Sequence, residues 1–149
     1  MKAAALICEF NPFHNGHAYL IERIKELSPE KPVACFMSGE FVQRGEIAYI
    51  PARERAQMAV LCGADAVFAL PVEYSLAPAQ IYAASIINLI EKTELCDTLV
   101  FGSESGELSE LQLAADNMMG EDFERELKLF VEEKMTYPAA RSAAYRKLF

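Results

Sequence analysis

The sequence predicts an α/β fold, a doubly wound parallel sheet followed by a helical C-terminal segment. Three observations carry this. Short apolar runs alternate with stretches of helical periodicity from residue 3 to residue 101. The runs are apolar at successive positions, as strands buried on both faces require. Beyond Gly102 the alternation stops and only helical patterning continues.

The first strand is Ala3–Phe10, followed by a Pro/Asn/Gly loop. MKAAALICEF leads into NPFHNGH and not into a small-residue cleavage site, so it reads as a strand and not as a leader. Leu20, Ile21, Ile24 and Leu27 place a helix over His17–Leu27. Pro32–Met37 is the second strand and Ser38–Gly45 its loop; Pro51 in a first-turn position opens a helix over Arg53–Cys62. Ala66–Leu70 is a third strand, ended by Pro71, and Ala79–Lys92 a strong helix. Thr98–Phe101 is a fourth strand ended by Gly102. Helices follow over Leu108–Met119, Asp122–Lys134 and Pro138–Leu148, with Gly120 as the break between the first two. The expected division is an α/β domain over 1–120 and a helical extension over 121–149.

With 149 residues there is enough chain for one domain with a real core. No apolar run reaches the roughly 18–20 residues that span a bilayer. Cys8, Cys35, Cys62 and Cys96 form no CxxC pair, and the first three lie in or beside apolar runs, which predicts buried, reduced thiols in a cytoplasmic protein. The formal net charge of −8 opposes nucleic-acid binding except through a local basic patch, and only Arg141, Arg146 and Lys147 gather near the end.

Both histidines, His14 and His17, fall within the nine residues EFNPFHNGH. A helix starting near Asn15 or Gly16 puts them on one side of its first turn. There, free backbone N–H groups and the helix dipole favour an anion, and two imidazoles add donors for phosphate oxygens. Gly16 lets a flat base or ribose approach the backbone, while Pro12 and a locally hydrogen-bonded Asn11 shape the turn. Such a device stabilises charge developing at an α-phosphate and needs no nucleophile of its own. A plain polar loop, or a two-histidine metal site, are the competing readings of the same residues. Ligands of open parallel sheets bind beyond the carboxyl ends of the strands, where NPFHNG, SGEFVQRGE, PVEYSLAP and GSESGE lie.

HNGH after a first strand resembles the HxGH signature of the nucleotidylyltransferase superfamily, whose Rossmann-like fold is similar to class I aminoacyl-tRNA synthetase catalytic domains. Taken in order, EFNPFHNGH, MSGEFVQRGE, the GAD-VF-LP pattern of residues 63–71, FGSESG and TYPAAR resemble one family over nearly the whole chain, the bacterial tRNA(Met) cytidine acetate ligases. The resemblance implies a ligase using ATP, with Mg2+ as its counter-ion, to convert acetate to acetyl adenylate. The acetyl group would then pass to the wobble cytidine of elongator tRNA(Met). It implies that His14 and His17 are catalytic. The nucleotide would be wrapped by Ile7, Cys8, Glu9 and Phe10 at the strand end and by Asn11, Pro12 and Phe13 in the turn. On the helix, Asn15, Gly16, Ala18, Tyr19 and Leu20 would join the two histidines, and Gly102 with Ser103 would approach from the fourth strand.

Gln43 and Arg44 are candidate substrate or anion contacts, although Arg44 reads equally as a solvated loop cation. Glu46 reads as a surface or turn-stabilising charge in preference to a catalytic base. Tyr74 and Ser75 read as pocket lining or helix entry, and Ser103 with Ser105 alternatively as a turn capping the next helix. Relatives are longer, with a later helical region supplying nucleotide contacts and a basic tRNA surface, so the resemblance implies weakened ATP binding and weak or absent tRNA binding by these 149 residues. Many relatives carry a lysine and an aromatic residue where Ala52 and Arg53 stand, and the later serine-rich superfamily motif is absent here. The rival functions are another small-substrate nucleotidylyltransferase, or a non-catalytic nucleotide- or RNA-binding remnant.

Overall fold

A computed structural model describes residues 2–43 and 45–149; Arg44 therefore lies outside the described residues. Within these, the order is β1 (Ala3–Cys8), α1 (Asn15–Leu27), β2 (Val33–Ser38), α2 (Ala52–Leu61), β3 (Ala66–Leu70), α3 (Val72–Ser75), α4 (Ala79–Thr93) and β4 (Cys96–Val100). Helices α5 (Leu108–Met118), α6 (Glu121–Glu132) and α7 (Tyr137–Leu148) follow. The strands run parallel in the order β3-β2-β1-β4. Every strand and long helix read from the sequence is found, most with ends moved by one or two residues. The addition is α3, a single turn between Pro71 and Pro78, too short for periodicity to reveal.

Alternation along the strands builds two cores. Ala4, Leu6, Cys35 and Met37 turn to one face and meet Ile21 and Ile24 of α1 and Ala59 of α2. Ala5, Ala34 and Phe36 turn to the other and meet Tyr82 and Ile86 of α4. Helices thus cover both sides, which explains why β2 is buried at all six positions and reads as one apolar run. The thiols divide: Cys35 and Cys96 are buried and Cys8 is half-buried, but Cys62 is exposed; it is the C-cap of α2, past the last helical residue Leu61.

The chain divides into two compact units, Met1–Gly102 and Ser103–Phe149. The boundary falls earlier than residue 120, because α5 groups with α6 and α7. The second unit is held by Phe123, Ala140 and Ala144, all buried, and by Lys147 Nζ reaching Glu126 Oε2 at 2.6 Å.

In the first unit the order of strands reverses at β1. The chain leaves β1 for β2 on one side and returns to β4 on the other. A ligand crevice belongs beyond the carboxyl end of β1, between its diverging connections.

Candidate nucleotide site

A cavity of about 430 Å³ occupies that position, lined by Ile7, Cys8, Glu9, Phe10, Asn11, Pro12, His14, His17 and Tyr82. Its size suits a small organic ligand. The walls come from the end of β1, the turn after it, the first turn of α1 and one ring from α4.

Helix α1 starts at Asn15 with His14 as its N-cap, in extended conformation. The two histidines cap this helix between them. His14 Nδ1 accepts the Gly16 N–H at 3.1 Å, and His17 Nδ1 accepts the His14 N–H at 3.3 Å. This is the reciprocal logic of a capping box, built from imidazoles in place of Ser and Glu. The His17 and Ala18 N–H groups are also taken, by the His14 carbonyl at 2.9 and 3.2 Å. The expectation of a row of free backbone donors is therefore corrected, since the Gly16, His17 and Ala18 N–H groups serve the cap.

What remains for a ligand is better defined. Each neutral ring accepts at Nδ1, so its proton sits on Nε2. The rings stack at 3.7 Å between centroids and 21° between planes, which places two Nε2–H donors side by side. Burial, together with the neighbouring His14, lowers the pKa of His17 and keeps its ring neutral at pH 7. From below, the ring of Phe10 meets His17 edge-on at 4.9 Å and Phe13 at 4.9 Å. Phe10 is itself buried at a positive φ of 51°, a conformation costly for a bulky residue and held only because its surroundings over-determine it.

Gly16 has a different use from the expected one. A Cβ there would stand 3.1 Å from His14 Cε1 and 3.2 Å from its Nδ1, so the missing side chain makes room for the capping ring itself. Gly102, which follows β4, is the reverse. A Cβ there meets no described heavy atom within 4 Å, so nothing in the fold demands glycine at that position.

Asn11 does not bond locally. Its Oδ1 accepts the Tyr49 N–H at 2.7 Å, and Glu9 Oε1 accepts the Gln43 N–H at 2.7 Å, so both tie the first loop to the segment 39–51. Gln43 is thus anchored through its backbone. The Glu46 carbonyl accepts the Val42 N–H at 3.0 Å, a turn-stabilising role carried by backbone.

Two contributors were not singled out from the sequence. Tyr82 of α4 donates its hydroxyl to the Cys8 carbonyl at 3.1 Å, and burial pushes its pKa far up, which keeps it a neutral donor. Arg55 of α2 is wholly buried and donates to the carbonyls of Glu9, Gly39 and Ile50. For Tyr82 the only signal was a helical spacing of four from Ile86; for Arg55 there was none. Burial and Cys35 push the Cys8 thiol well above its ordinary value, which makes it lining and not a nucleophile.

The remaining candidates lie around this cavity or away from it. Leu20 packs against the core and Tyr19 is exposed. Ser75 is buried and donates back to the Pro71 carbonyl at 3.4 Å, which assigns it to the α3 turn. Ser103 belongs to the second unit, its hydroxyl 3.5 Å from that of Ser105, and Ser105 accepts the Glu107 N–H at 3.3 Å. Among the described residues no group of three or more His, Cys, Asp or Glu side chains converges as around a metal ion. Nor is any described helix long and apolar enough to cross a membrane.

A parallel sheet with a histidine-capped helix at its switch point defines a nucleotide-binding α/β protein, and comparison with known proteins agrees. The HIGH Nucleotidyl Transferase model matches residues 1–149, and the chain belongs to that family. Within it, the chain is similar to proteins named tRNA(Met) cytidine acetate ligase. The one from Caldicellulosiruptor saccharolyticus is 39% identical over 150 residues, covering 99% of this chain and 37% of that protein. The one from Listeria monocytogenes is 40% identical over 152 residues, covering 100% and 39%. The crystal structure of Thermotoga maritima TmcAL bound with alpha-thio ATP superposes with a TM-score of 0.88 at 33% identity, covering 100% of this chain and 36% of that one. The chain thus spans well under half the length of these relatives.

Proposed function

We propose that this chain is the nucleotide-binding part of a tRNA(Met) cytidine acetate ligase, and that its cavity activates acetate with ATP. The observation that carries the reading is the pair of stacked imidazoles with both Nδ1 atoms engaged and both Nε2–H groups left for a ligand at the switch point of the sheet. The Thermotoga maritima relative, solved with an ATP analogue, supports the choice of nucleotide.

The chemistry asks little of the protein beyond position and charge. Acetate is ionised at neutral pH and is already a nucleophile. One of its oxygens attacks the α-phosphorus of ATP, the bond to the β-phosphate breaks, and pyrophosphate leaves with magnesium as its counter-ion. His14 and His17 donate from Nε2 to phosphate oxygens as negative charge develops there, and being already held through their Nδ1 hydrogen bonds they need no reorganisation to do so. Glu9, Phe10, Asn11 and Pro12 wall the nucleotide, and Gly102 leaves room beside it. The acetyl group then passes to the exocyclic amine of the wobble cytidine of elongator tRNA(Met), the amine losing a proton to solvent as AMP departs. We propose a cytoplasmic location for this work, on the ground of cysteines that form no CxxC pair.

The test is pyrophosphate release with ATP at saturation. Release that requires acetate, and is not supported by a phosphate-ester acceptor such as phosphopantetheine or nicotinamide mononucleotide, is the expected result. Release with the phosphate ester and not with acetate makes the chain a different nucleotidyltransferase. ATP binding without release from either makes it a binding module.

A further inference from the structure

The network beneath the site has a centre, and it is a residue that does not itself line the cavity. Arg55, one turn into α2, is fully buried, the largest side chain among the described residues to be so. Its Nε donates to the Ile50 carbonyl at 2.9 Å, one terminal nitrogen to the Glu9 carbonyl and the other to the Gly39 carbonyl. Those three carbonyls belong to separate pieces of chain. Glu9 follows β1 and lines the cavity, Gly39 follows β2, and Ile50 closes the second loop. A planar guanidinium spans three such acceptors in fixed geometry, which an ammonium cannot. Burying it is costly, so a fold that needed only packing here would carry an apolar side chain.

The same two loops are stitched twice more at their edges, through Gln43 N–H to the Glu9 carboxylate and Tyr49 N–H to the Asn11 amide oxygen. Both acceptors are cavity-lining residues. Moving Glu9 or residues 39–51 therefore moves the wall on which His14 and His17 open. At the far end Glu40 caps α2 by accepting the Ala52 N–H at 3.2 Å, so the helix carrying Arg55 is tied to the same loop.

We infer that Arg55 is a positioning residue for the nucleotide site. By clamping the ends of β1, β2 and the second loop together, it fixes Glu9 and Asn11 in the cavity wall without contacting the nucleotide. The inference rests on the nucleotide reading above for its ligand, and on hydrogen bonds alone for the clamp.

Arg55→Lys keeps the charge and loses the fork, and Arg55→Met keeps the bulk and loses both. Ile86→Ala, in the core on the opposite face of the sheet, lowers stability without touching the clamp and serves as the control. Amide hydrogen exchange of the free chain and ATP titration calorimetry are measured well below each variant's Tm. Both Arg55 variants are expected to exchange faster at the Gln43 and Tyr49 amides and to bind ATP about tenfold to a hundredfold more weakly. The control is expected to keep wild-type exchange at both amides and wild-type affinity. Unchanged protection at those amides overturns the inference. So does a loosened loop with undiminished ATP affinity, or an equal loss of affinity in Ile86→Ala. If the wild-type chain takes up no ATP, it is the nucleotide reading that fails, and the exchange arm alone then decides whether Arg55 holds the loop.

Discussion

A histidine that caps a helix with Nδ1 can do so only while that nitrogen is unprotonated. Protonation of His14 or His17 removes the acceptor of the Gly16 or the His14 N–H, and the α1 terminus loses part of its cap. The pKa of His17 in the folded chain is lowered from the ordinary 6.5, so the unfolded chain binds that proton more tightly. Its contribution to stability is full above about 6.5 and is lost as the pH falls through the lower folded value. Thermal melts between pH 8 and 5 are expected to show Tm falling on the acid side of this window. His17→Asn, which cannot titrate, should flatten the slope. An equal slope in that variant contradicts the capping account.

The two glycines give opposite expectations at the same scale. Gly16→Ala forces the His14 ring to move, so it should weaken nucleotide binding and cost part of the cap, about 1 kcal/mol of stability. Gly102→Ala meets open space and should leave Tm unchanged. If Gly102 faces the nucleotide as proposed, the same variant weakens ATP binding nonetheless. A Gly102→Ala chain that binds ATP as wild type does removes Gly102 from the site. The sequence suggested ligand approach for both glycines. Only coordinates separate them, because the ring that needs the space at Gly16 comes from a neighbouring residue whose rotamer the sequence does not state. Asn11 is a related case: it was read as a local turn former, yet its partner is 38 positions away.

Among the elements, the strands were legible because burial on both faces leaves a continuous apolar run, and α4 because its apolar positions recur at helical spacing. Arg55 illustrates the opposite limit. A charged residue on an otherwise ordinary helix reads as solvent-facing, and nothing local reveals that the Glu9 and Gly39 carbonyls, 46 and 16 positions away, converge on it with that of Ile50. The α4 side of the sheet depends on Ile86, which is fully buried against Ala5, Ala34 and Phe36. Ile86→Ala is expected to cost about 2–5 kcal/mol, read as a lowered Tm with no change in the spectrum of the folded state. A second pH window belongs to Asp65, which joins α2 to β3. It accepts the Val33 N–H at 2.8 Å and pairs with Lys25 Nζ at 3.0 Å, and the backbone hydrogen bond, followed by Lys25, lowers its pKa. Its contribution is present at neutral pH and lost only as the pH falls through the low folded value, well below the histidine window. Asp65→Asn should therefore lower Tm at pH 7 and converge with wild type in strong acid. A gap that persists there assigns the loss to packing instead.

At the scale of the whole molecule, fold and site agree on a single crevice. The sheet reverses its strand order at β1, α1 begins there, and the histidine pair, the Phe10 support and the Arg55 clamp all converge on that one strand end. Family membership and the likeness to a relative solved with an ATP analogue agree with this fold by an independent route.

The most direct test of this account is titration calorimetry of ATP into the chain and into its His14→Ala/His17→Ala variant. The account predicts micromolar or millimolar binding by the wild type and a loss of several kcal/mol in the variant, since each charge-assisted hydrogen bond contributes roughly 1.5–3 kcal/mol. Equal binding by the two proteins would contradict it, and would mean that the stacked imidazoles cap a helix and do nothing more.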